Sequence, residues 1–350
     1  MRNVAVVGFA QRQMKEFDGS PTMVELLVPL FADLYEQTGF TRKDIGFWCS
    51  GSSDYLAGRS FSFVSAVDAI GALPPVNESH VEMDAAWALY EAWLKIQTGE
   101  IDTALVYGFG KSSAGTLRRT LALQLDPYTM TPLWPDTVSL AGLQARLGLE
   151  AGLWDEKAMA EVALRSLTDA ERNEYAVRSG GSSIDELLAR SLYADPLRKH
   201  DCAPVTDGAA AIILAADDRA SDASETPAWI TGFAHNIDPL HLGARDLTRA
   251  PSAAAAAASA GVDGVEVAEL HAPFSHQELI LREELGLAAD VRINPSGGAL
   301  TSNPMFSAGL IRIGEAAGAI SRGEAGRALG HATAGPLLQQ NLVCVMEGAH

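Results

Sequence analysis

Val7-Gly8-Phe9-Ala10-Gln11 ends a β-rich run near the start of the chain, and Thr231-Gly232-Phe233-Ala234-His235 ends a similar run 224 positions later. Two further pairs of features follow in the same order at nearly the same offset. In the first pair, a helix end followed by a strand runs from Gly39 to Cys49 and recurs from Gly261 to His271. In the second pair, Gly99-Glu100 recurs as Gly323-Glu324. Glycine commonly ends helices, so each pair alone is weak evidence. Three pairs in order indicate an internal duplication.

The duplicated segments have the pattern of an α/β protein, because short β-rich runs alternate with longer helical stretches. Two related α/β halves bury their sheets by packing against each other about a pseudo-twofold axis. Equivalent strand ends then converge at the centre of the molecule. This arrangement predicts that Cys49 and His271 occupy symmetry-related positions.

One long stretch is not duplicated. Residues 112–200 have no counterpart in the second half, and we predict that they form an inserted loop domain beside a substrate entrance. The polar stretch 217–227 is predicted to be a loop between the halves. The N-terminal half is therefore placed at residues 1–225, including the insertion, and the C-terminal half at residues 226–350.

The composition limits the possible partners. The 350 residues are 47% hydrophobic and 20% charged, as in an ordinary compact protein, but the formal net charge is −18. A chain this acidic repels the phosphate backbone of nucleic acids. Nucleic acid is therefore excluded as an expected partner.

The three cysteines, Cys49, Cys202 and Cys344, are widely separated and form no CxxC pair or metal-binding cluster. This spacing predicts neither a disulfide framework nor a zinc site, and it suits a reducing cytoplasm. The first residues enter a strand without the layout of a signal peptide, and no apolar run is long enough to span a bilayer. We expect a cytoplasmic protein without a membrane span.

A family resemblance begins with Asn294-Pro295-Ser296-Gly297-Gly298-Ala299-Leu300, which resembles the Asn-Pro-Ser-Gly-Gly element of the sterol carrier protein type of thiolase. Four other stretches are similar to elements of that family in the same order: 96–110, 204–211, 269–274 and 336–345. The resemblance covers nearly the whole chain. It implies the thiolase fold, a duplicated αβαβα five-layer architecture with an inserted loop domain. It also implies a dimer, for which we expect the strand 103–108 and the helix 86–97 to form the contact.

The sequence departs from a working thiolase at its catalytic positions. The family's nucleophilic cysteine stands at the start of a helix, where the helix dipole favours the thiolate, but here that region contains Asp84 and no cysteine. Asn303 stands where the family has a histidine, and the second catalytic cysteine is also missing. Without a nucleophile no acyl-enzyme forms, so thiolase chemistry is excluded.

Thiolase-like proteins with these losses resemble the steroid side-chain aldolases. The resemblance implies retro-aldol cleavage of a β-hydroxyacyl-CoA, with no cofactor except coenzyme A as part of the steroid acyl-CoA substrate. It implies as partners a small protein with a zinc ribbon and an OB-fold barrel, and a thiolase-like paralogue or a second copy. The family's aldolases use tyrosines in their C-terminal half, whereas all seven tyrosines here lie at or before residue 193. The alternatives are therefore a non-catalytic scaffold subunit beside an active paralogue, or a lipid-transfer protein.

Three groups are the main candidates for a site that holds a thioester oxygen and stabilises an enolate. His271 would polarise the thioester, and the backbone of Gly297 and Gly298 would donate to the oxyanion. Asp84 is first of all a candidate helix N-cap, and it is also the leading candidate for a general base.

Three further residues have open interpretations. Asn303 either caps the following helix or donates its amide to a substrate carbonyl. His331 ends a central strand before a glycine-rich turn and is a candidate for proton transfer. His276 is either a pocket residue or part of the scaffold.

Overall fold

The computed structural model describes residues 2–14, 22–57 and 60–348. Five strands of the first half of the chain lie side by side in the order β1-β7-β4-β2-β3. They are β1 (Val4–Met14), β2 (Phe47–Gly51), β3 (Glu78–Val81), β4 (Thr103–Gly110) and β7 (Asp207–Ala216). This order places β4 in the interior of the sheet and β3 at its edge.

The second half repeats that arrangement in the order β8-β12-β11-β9-β10. Its strands are β8 (Ala228–Ile237), β9 (Val267–Leu270), β10 (Arg292–Ile293), β11 (Arg327–Ala334) and β12 (Gln340–Glu347). The two sets join through antiparallel pairing of β1 with β8, where Ala5 faces Trp229 and Val6 faces Ala228. The duplicated topology inferred from the sequence repeat is confirmed.

Helices form three layers around these strands. The first half contributes α1 (Met23–Thr38), α2 (Asp54–Ala57), α3 (Ser62–Ile70), α4 (Ala85–Gln97) and α9 (Asp217–Ala223), and the second contributes α10 (Pro251–Ala260), α11 (Ser275–Glu284) and α12 (Ala308–Ser321). The largest apolar cluster joins α4 and α12 between the two sets of strands. Two more clusters pack α1 and α10 against the outer faces. These layers confirm the five-layer thiolase fold.

The stretch between β4 and β7 contains its own small elements. They are α5 (Leu117–Leu123), α6 (Thr137–Glu150), α7 (Glu156–Asp169), α8 (Ile184–Leu188), β5 (Leu192–Ala194) and β6 (Leu197–Arg198). A separate apolar cluster built around α6 packs this insertion against Phe274 and Leu337 of the second half. The insertion therefore lies against the loops that follow β9 and β11.

Two expectations about elements are wrong. The stretch 217–227 contains α9, because Ala220 and Ala223 are buried against the first half and two aspartates lie in the helix's first turn. The strand 103–108 cannot form the dimer contact, because β4 is paired on both sides and completely buried. No helix in the described ranges is long and apolar enough to cross a bilayer.

Candidate functional site

Asp84 lies where two helices begin. Its carboxylate Oδ1 accepts the N–H groups of Ala86 (2.9 Å) and Leu310 (3.1 Å), and Oδ2 accepts the N–H of Gly309 (2.9 Å). Because each helix carries partial positive charge at its N-terminus, the buried carboxylate is favourable to both α4 and α12. Asp84 thus caps two pseudo-symmetric helices, although we expected it to cap one.

The close approach of Asp84 to α12 requires glycine at position 309. A Cβ atom at Gly309 would lie 2.7 Å from Asp84 Oδ1 and 2.5 Å from the Cβ of Ala332. Three of the roughly four acceptor positions of the carboxylate are occupied by backbone N–H groups. The geometry therefore favours the capping interpretation of Asp84 over the general base.

His271 follows β9 and faces the same central layer as Asp84. Its Nδ1 accepts the backbone N–H of Thr333 (3.4 Å), so Nε2 carries the proton and donates to Asn303 Oδ1 (3.0 Å). Burial lowers the pKa of His271, while the negative charge of Asp84 acts in the opposite direction. The imidazole is therefore a neutral hydrogen-bond donor near neutral pH.

Asn303 is held from two sides. Its backbone N–H donates to Thr206 Oγ1 (3.0 Å), and its side-chain oxygen accepts from His271. Among the described residues no acceptor is bonded to its Nδ2, so the half-buried amide has free donors. The interpretation of Asn303 as a helix cap is wrong, because α12 begins only at Ala308, after a turn.

The glycine pair acts differently from our expectation. Gly297 and Gly298 adopt φ angles of 94° and 66°, which favour glycine. The N–H of Gly297 donates to Asn294 O (2.8 Å), and that of Gly298 donates to Ser296 Oγ (3.3 Å). Because both N–H groups are used inside the turn, the expectation that this pair donates to a substrate oxygen is not supported by the geometry.

The same turn instead forms hydrogen bonds that stabilise the C-terminal end of β9. Asn294 Oδ1 accepts the N–H of Leu270 (2.6 Å), the residue before His271. Ser296 Oγ donates to Glu269 Oε2 (2.7 Å), and that carboxylate also pairs with the buried guanidinium of Arg312 (2.7 Å). Burial raises the pKa of Glu269 and Arg312 opposes that rise. The turn fixes the strand end from which His271 projects.

The side chains of His331 and His276 lie outside this cluster, although the backbone carbonyl of His331 accepts the N–H of His271 (3.3 Å). Side chains alternate along a strand, and Ala332 faces the central layer, so His331 faces the outer side, where its Nε2 bonds Asn341 Oδ1 (3.0 Å). His276 bonds Gln144 on α6 (3.0 Å). Burial lowers the pKa of each imidazole to about 3. Both geometries fit the scaffold interpretation.

Two residues of the site were missed from the sequence. Thr333 fixes the tautomer of His271 through its backbone, and Thr206 orients Asn303 through its hydroxyl. A backbone donor leaves no signal in the residue type. Thr206 does lie inside the stretch 204–211 that carries the family resemblance, which was the only available signal.

The thiols of the described structure are all shielded from solvent. Cys49, Cys202 and Cys344 are all buried. Burial raises the pKa of each thiol, that of Cys202 to about 12. Among the described residues no group of histidine, cysteine and carboxylate side chains is arranged to hold a metal ion.

Comparisons with known proteins agree with the fold. No family model matches the chain. In sequence it is similar to the acetyl-CoA acetyltransferase of Methanocaldococcus jannaschii, 28% identical over an alignment that covers 90% of this chain and 89% of the relative. It is also similar to sterol carrier protein 2 of Homo sapiens, 26% identical over 69% of this chain and 52% of the relative.

A solved structure described as "Ltp2-ChsH2(DUF35) aldolase" superimposes with a TM-score of 0.80 at 17% identity, over 99% of this chain and 98% of that one. At this identity the likeness shows the fold alone. Together with the sequence relatives, it agrees with the resemblance read from the motifs.

Removing the shared cap should destabilise the protein more than removing an ordinary one. We expect Asp84→Ala to lower the free energy of unfolding by about 3 kcal/mol, because three buried N–H groups lose their acceptor. Asp155→Ala removes the exposed cap of α7 alone and should cost about 1 kcal/mol. Urea unfolding of both variants gives the comparison, and equal losses would contradict the double-cap geometry.

The buried histidines should make the protein sensitive to mild acid. His276 and His331 have folded-state pKa values of about 3, below the unfolded value of about 6.5, so unfolding takes up protons below pH 6.5. Stability therefore falls as pH drops from about 6.5, by about 2 kcal/mol for each histidine at pH 5. His276→Gln should lower the number of protons taken up on unfolding by about one between pH 5 and 6.5. The slope of the unfolding free energy against pH should fall accordingly. An unchanged slope would refute this assignment.

Proposed function

We propose that this thiolase-like protein is a subunit of an aldolase that cleaves a β-hydroxyacyl-CoA, with a steroid-derived acyl group as substrate. The observation that carries the proposal is the pairing of a neutral His271 with Asn303, beside a nucleophile position occupied by Asp84. The site has donors for a thioester oxygen and no thiol. That combination fits enolate chemistry without an acyl-enzyme.

The proposed reaction needs one base and one oxyanion site. The base removes the proton of the substrate's β-hydroxyl, the bond between the α and β carbons breaks, and a carbonyl product forms. The electron pair of that bond becomes the enolate of the shortened acyl thioester, whose α carbon then takes up the proton. We assign the oxyanion site to Asn303 Nδ2, oriented by His271. The base is either Asp84 or a group from a partner chain.

A non-catalytic role is the second candidate, and a specific observation favours it. The carboxylate of Asp84 is largely occupied by backbone donors, and no tyrosine lies after residue 193. A scaffold subunit would then hold its partners while an active paralogue supplies the chemistry. Lipid transfer remains a third possibility, supported by the sterol carrier protein 2 relatives.

Partner proteins are part of the proposal. The aldolase of similar fold is described together with ChsH2(DUF35). We propose that this chain also works with partner proteins, a small protein with a zinc ribbon and an OB-fold barrel and a second thiolase-like chain. The proposed site of that pairing is the edge of β3 that bonds no other strand among the described residues. The exposed side chains of Phe61 and Val64 flank Phe63, whose ring stacks on His80 of β3.

The aldolase proposal is tested with the full chain and its partner proteins, using a β-hydroxyacyl-CoA as substrate. We expect Asn303→Ala to lower kcat/KM about 100-fold, because the enolate loses its side-chain donor. Asn3→Ala, at an exposed asparagine outside the site and distant from β3 in the strand order, is the matched control. Cleavage at the wild-type rate by complexes carrying Asn303→Ala or His271→Ala would assign the chemistry to another chain. If no complex cleaved the substrate, the aldolase proposal would be excluded and lipid transfer would be the remaining candidate.

The pairing proposal has its own test. Val64→Glu places a charge on the exposed segment beside β3 and should shift the protein from dimer to monomer in analytical ultracentrifugation. Leu153→Glu is the control, because Leu153 in the insertion is equally exposed, at 53% against 55% for Val64. A dimer that is unaffected by Val64→Glu would place the contact elsewhere.

A further inference from the structure

Glu278 is a buried carboxylate where the insertion meets the second half of the chain. It lies on α11, and its Oε2 accepts Nδ2 of Asn294 (2.9 Å) and Nη2 of Arg165 (2.5 Å). Among the described residues no other cation lies within salt-bridge distance of Glu278. A buried carboxylate is costly without a counter-charge. Glu278 therefore depends on Arg165 for the compensation of its charge.

The side-chain amide of Asn294 can serve Leu270 in only one orientation, because an amide has a donor end and an acceptor end. Nδ2 of Asn294 donates to Glu278, so Oδ1 faces the backbone N–H of Leu270 and accepts it (2.6 Å). The reverse orientation would place the NH2 group against that N–H. Glu278 therefore fixes the orientation of Asn294, and Asn294 fixes the backbone of the residue before His271.

Arg165 reaches Glu278 from the insertion. It lies on α7, and its side chain is 30% exposed, whereas that of Glu278 is 2% exposed. Its Nε lies 3.9 Å from Oδ2 of Asp169, one helical turn later. Burial raises the pKa of Asp169, and the charge of Arg165 opposes that rise. The guanidinium thus compensates two carboxylates, of which Glu278 is the closer and the more deeply buried.

The insertion also contacts the turn that contains Asn294 directly. Nδ2 of Asn173 donates to the carbonyl oxygen of Ser296 (2.9 Å). A Cβ atom at Gly297 would lie 2.7 Å from the Cβ of Ala170, so the close approach of the insertion requires glycine there. The turn is therefore held by the second half on one side and by the insertion on the other.

We propose that Arg165 is a positioning residue for the His271–Asn303 pair. Within the described structure no hydrogen bond joins Arg165 to either member of the pair. It acts through Glu278 and Asn294 on the strand end from which His271 projects. The catalytic consequence rests on the proposed aldolase function, whereas the positioning itself is measured without turnover.

Removing the charge of Arg165 should release the backbone at Leu270. An uncompensated buried carboxylate is relieved by water or by a proton, and either change removes the acceptor that orients the Asn294 amide. We expect Arg165→Gln to speed hydrogen exchange of the Leu270 amide about tenfold, measured by NMR on the full chain. Arg146→Gln is the matched control, because Arg146 lies in the insertion and pairs with Asp195 (2.5 Å), away from Glu278. Its exchange at Leu270 should equal that of the wild type.

Kinetics of the complex with its partner proteins give an independent readout. Arg165→Gln should lower kcat for cleavage of a β-hydroxyacyl-CoA about tenfold and leave KM close to the wild-type value, because the residue positions a site group without binding substrate. Arg165→Lys keeps the charge and should restore part of kcat and of the slow exchange. If the wild-type complex cleaves no substrate, the aldolase proposal fails, and the exchange measurement alone decides the positioning role.

Amides elsewhere in the fold separate positioning from a general loss of stability. The proposal is overturned if the Leu270 amide of Arg165→Gln exchanges at the wild-type rate. It is equally overturned if the amides of β4 and β7 become faster by the same factor as Leu270. Should Arg165→Gln not fold, Arg165→Lys is compared with Arg146→Lys. Exchange about threefold faster at Leu270 alone is then expected, and equal exchange in the two variants overturns the proposal.

Discussion

The structure depends on one carboxylate that closes two helices. The N-termini of α4 and α12 converge at the centre of the duplicated fold, and each leaves backbone N–H groups that need acceptors. Asp84 satisfies donors of both helices with a single buried side chain. The family resemblance places at this position of a thiolase a thiol that the helix dipole activates. Here the position holds a carboxylate that accepts from the N-termini of both helices.

The remaining polar groups of the site are arranged around this centre. The turn at Asn294–Ser296 braces β9, Thr333 fixes one ring nitrogen of His271, and the other ring nitrogen holds the amide of Asn303. Each of these hydrogen bonds fixes the orientation of the group that forms the next one. The result is a free Nδ2 donor on Asn303 beside the insertion, which supports binding of an oxygen-bearing substrate. Preorganised donors of this kind stabilise developing negative charge.

The sequence predicted the fold more fully than the site. The repeat from Val7–Gln11 to Thr231–His235 predicted the duplication, because equivalent strands need equivalent turns, and the strand order confirms it. His271 and Asn303 were both candidate site residues, but the hydrogen bond between them was not predicted. The orientation of Gly298 and His331 could not be predicted, since it depends on which face of a strand is covered and which hydrogen bonds a turn forms internally. The edge position of β3 was missed for a similar reason: edges are decided by strand order.

The convergence of two helix N-termini on position 84 is tested most directly by a thiol placed there. The pH dependence of alkylation of Asp84→Cys by iodoacetamide gives the thiol's pKa, and the three native cysteines give little background because burial raises the pKa of each. We expect a pKa well below that of the equally buried native thiols, because both helix dipoles stabilise the thiolate and oppose the effect of burial. A pKa as high as that of the native thiols would contradict the arrangement on which the account rests.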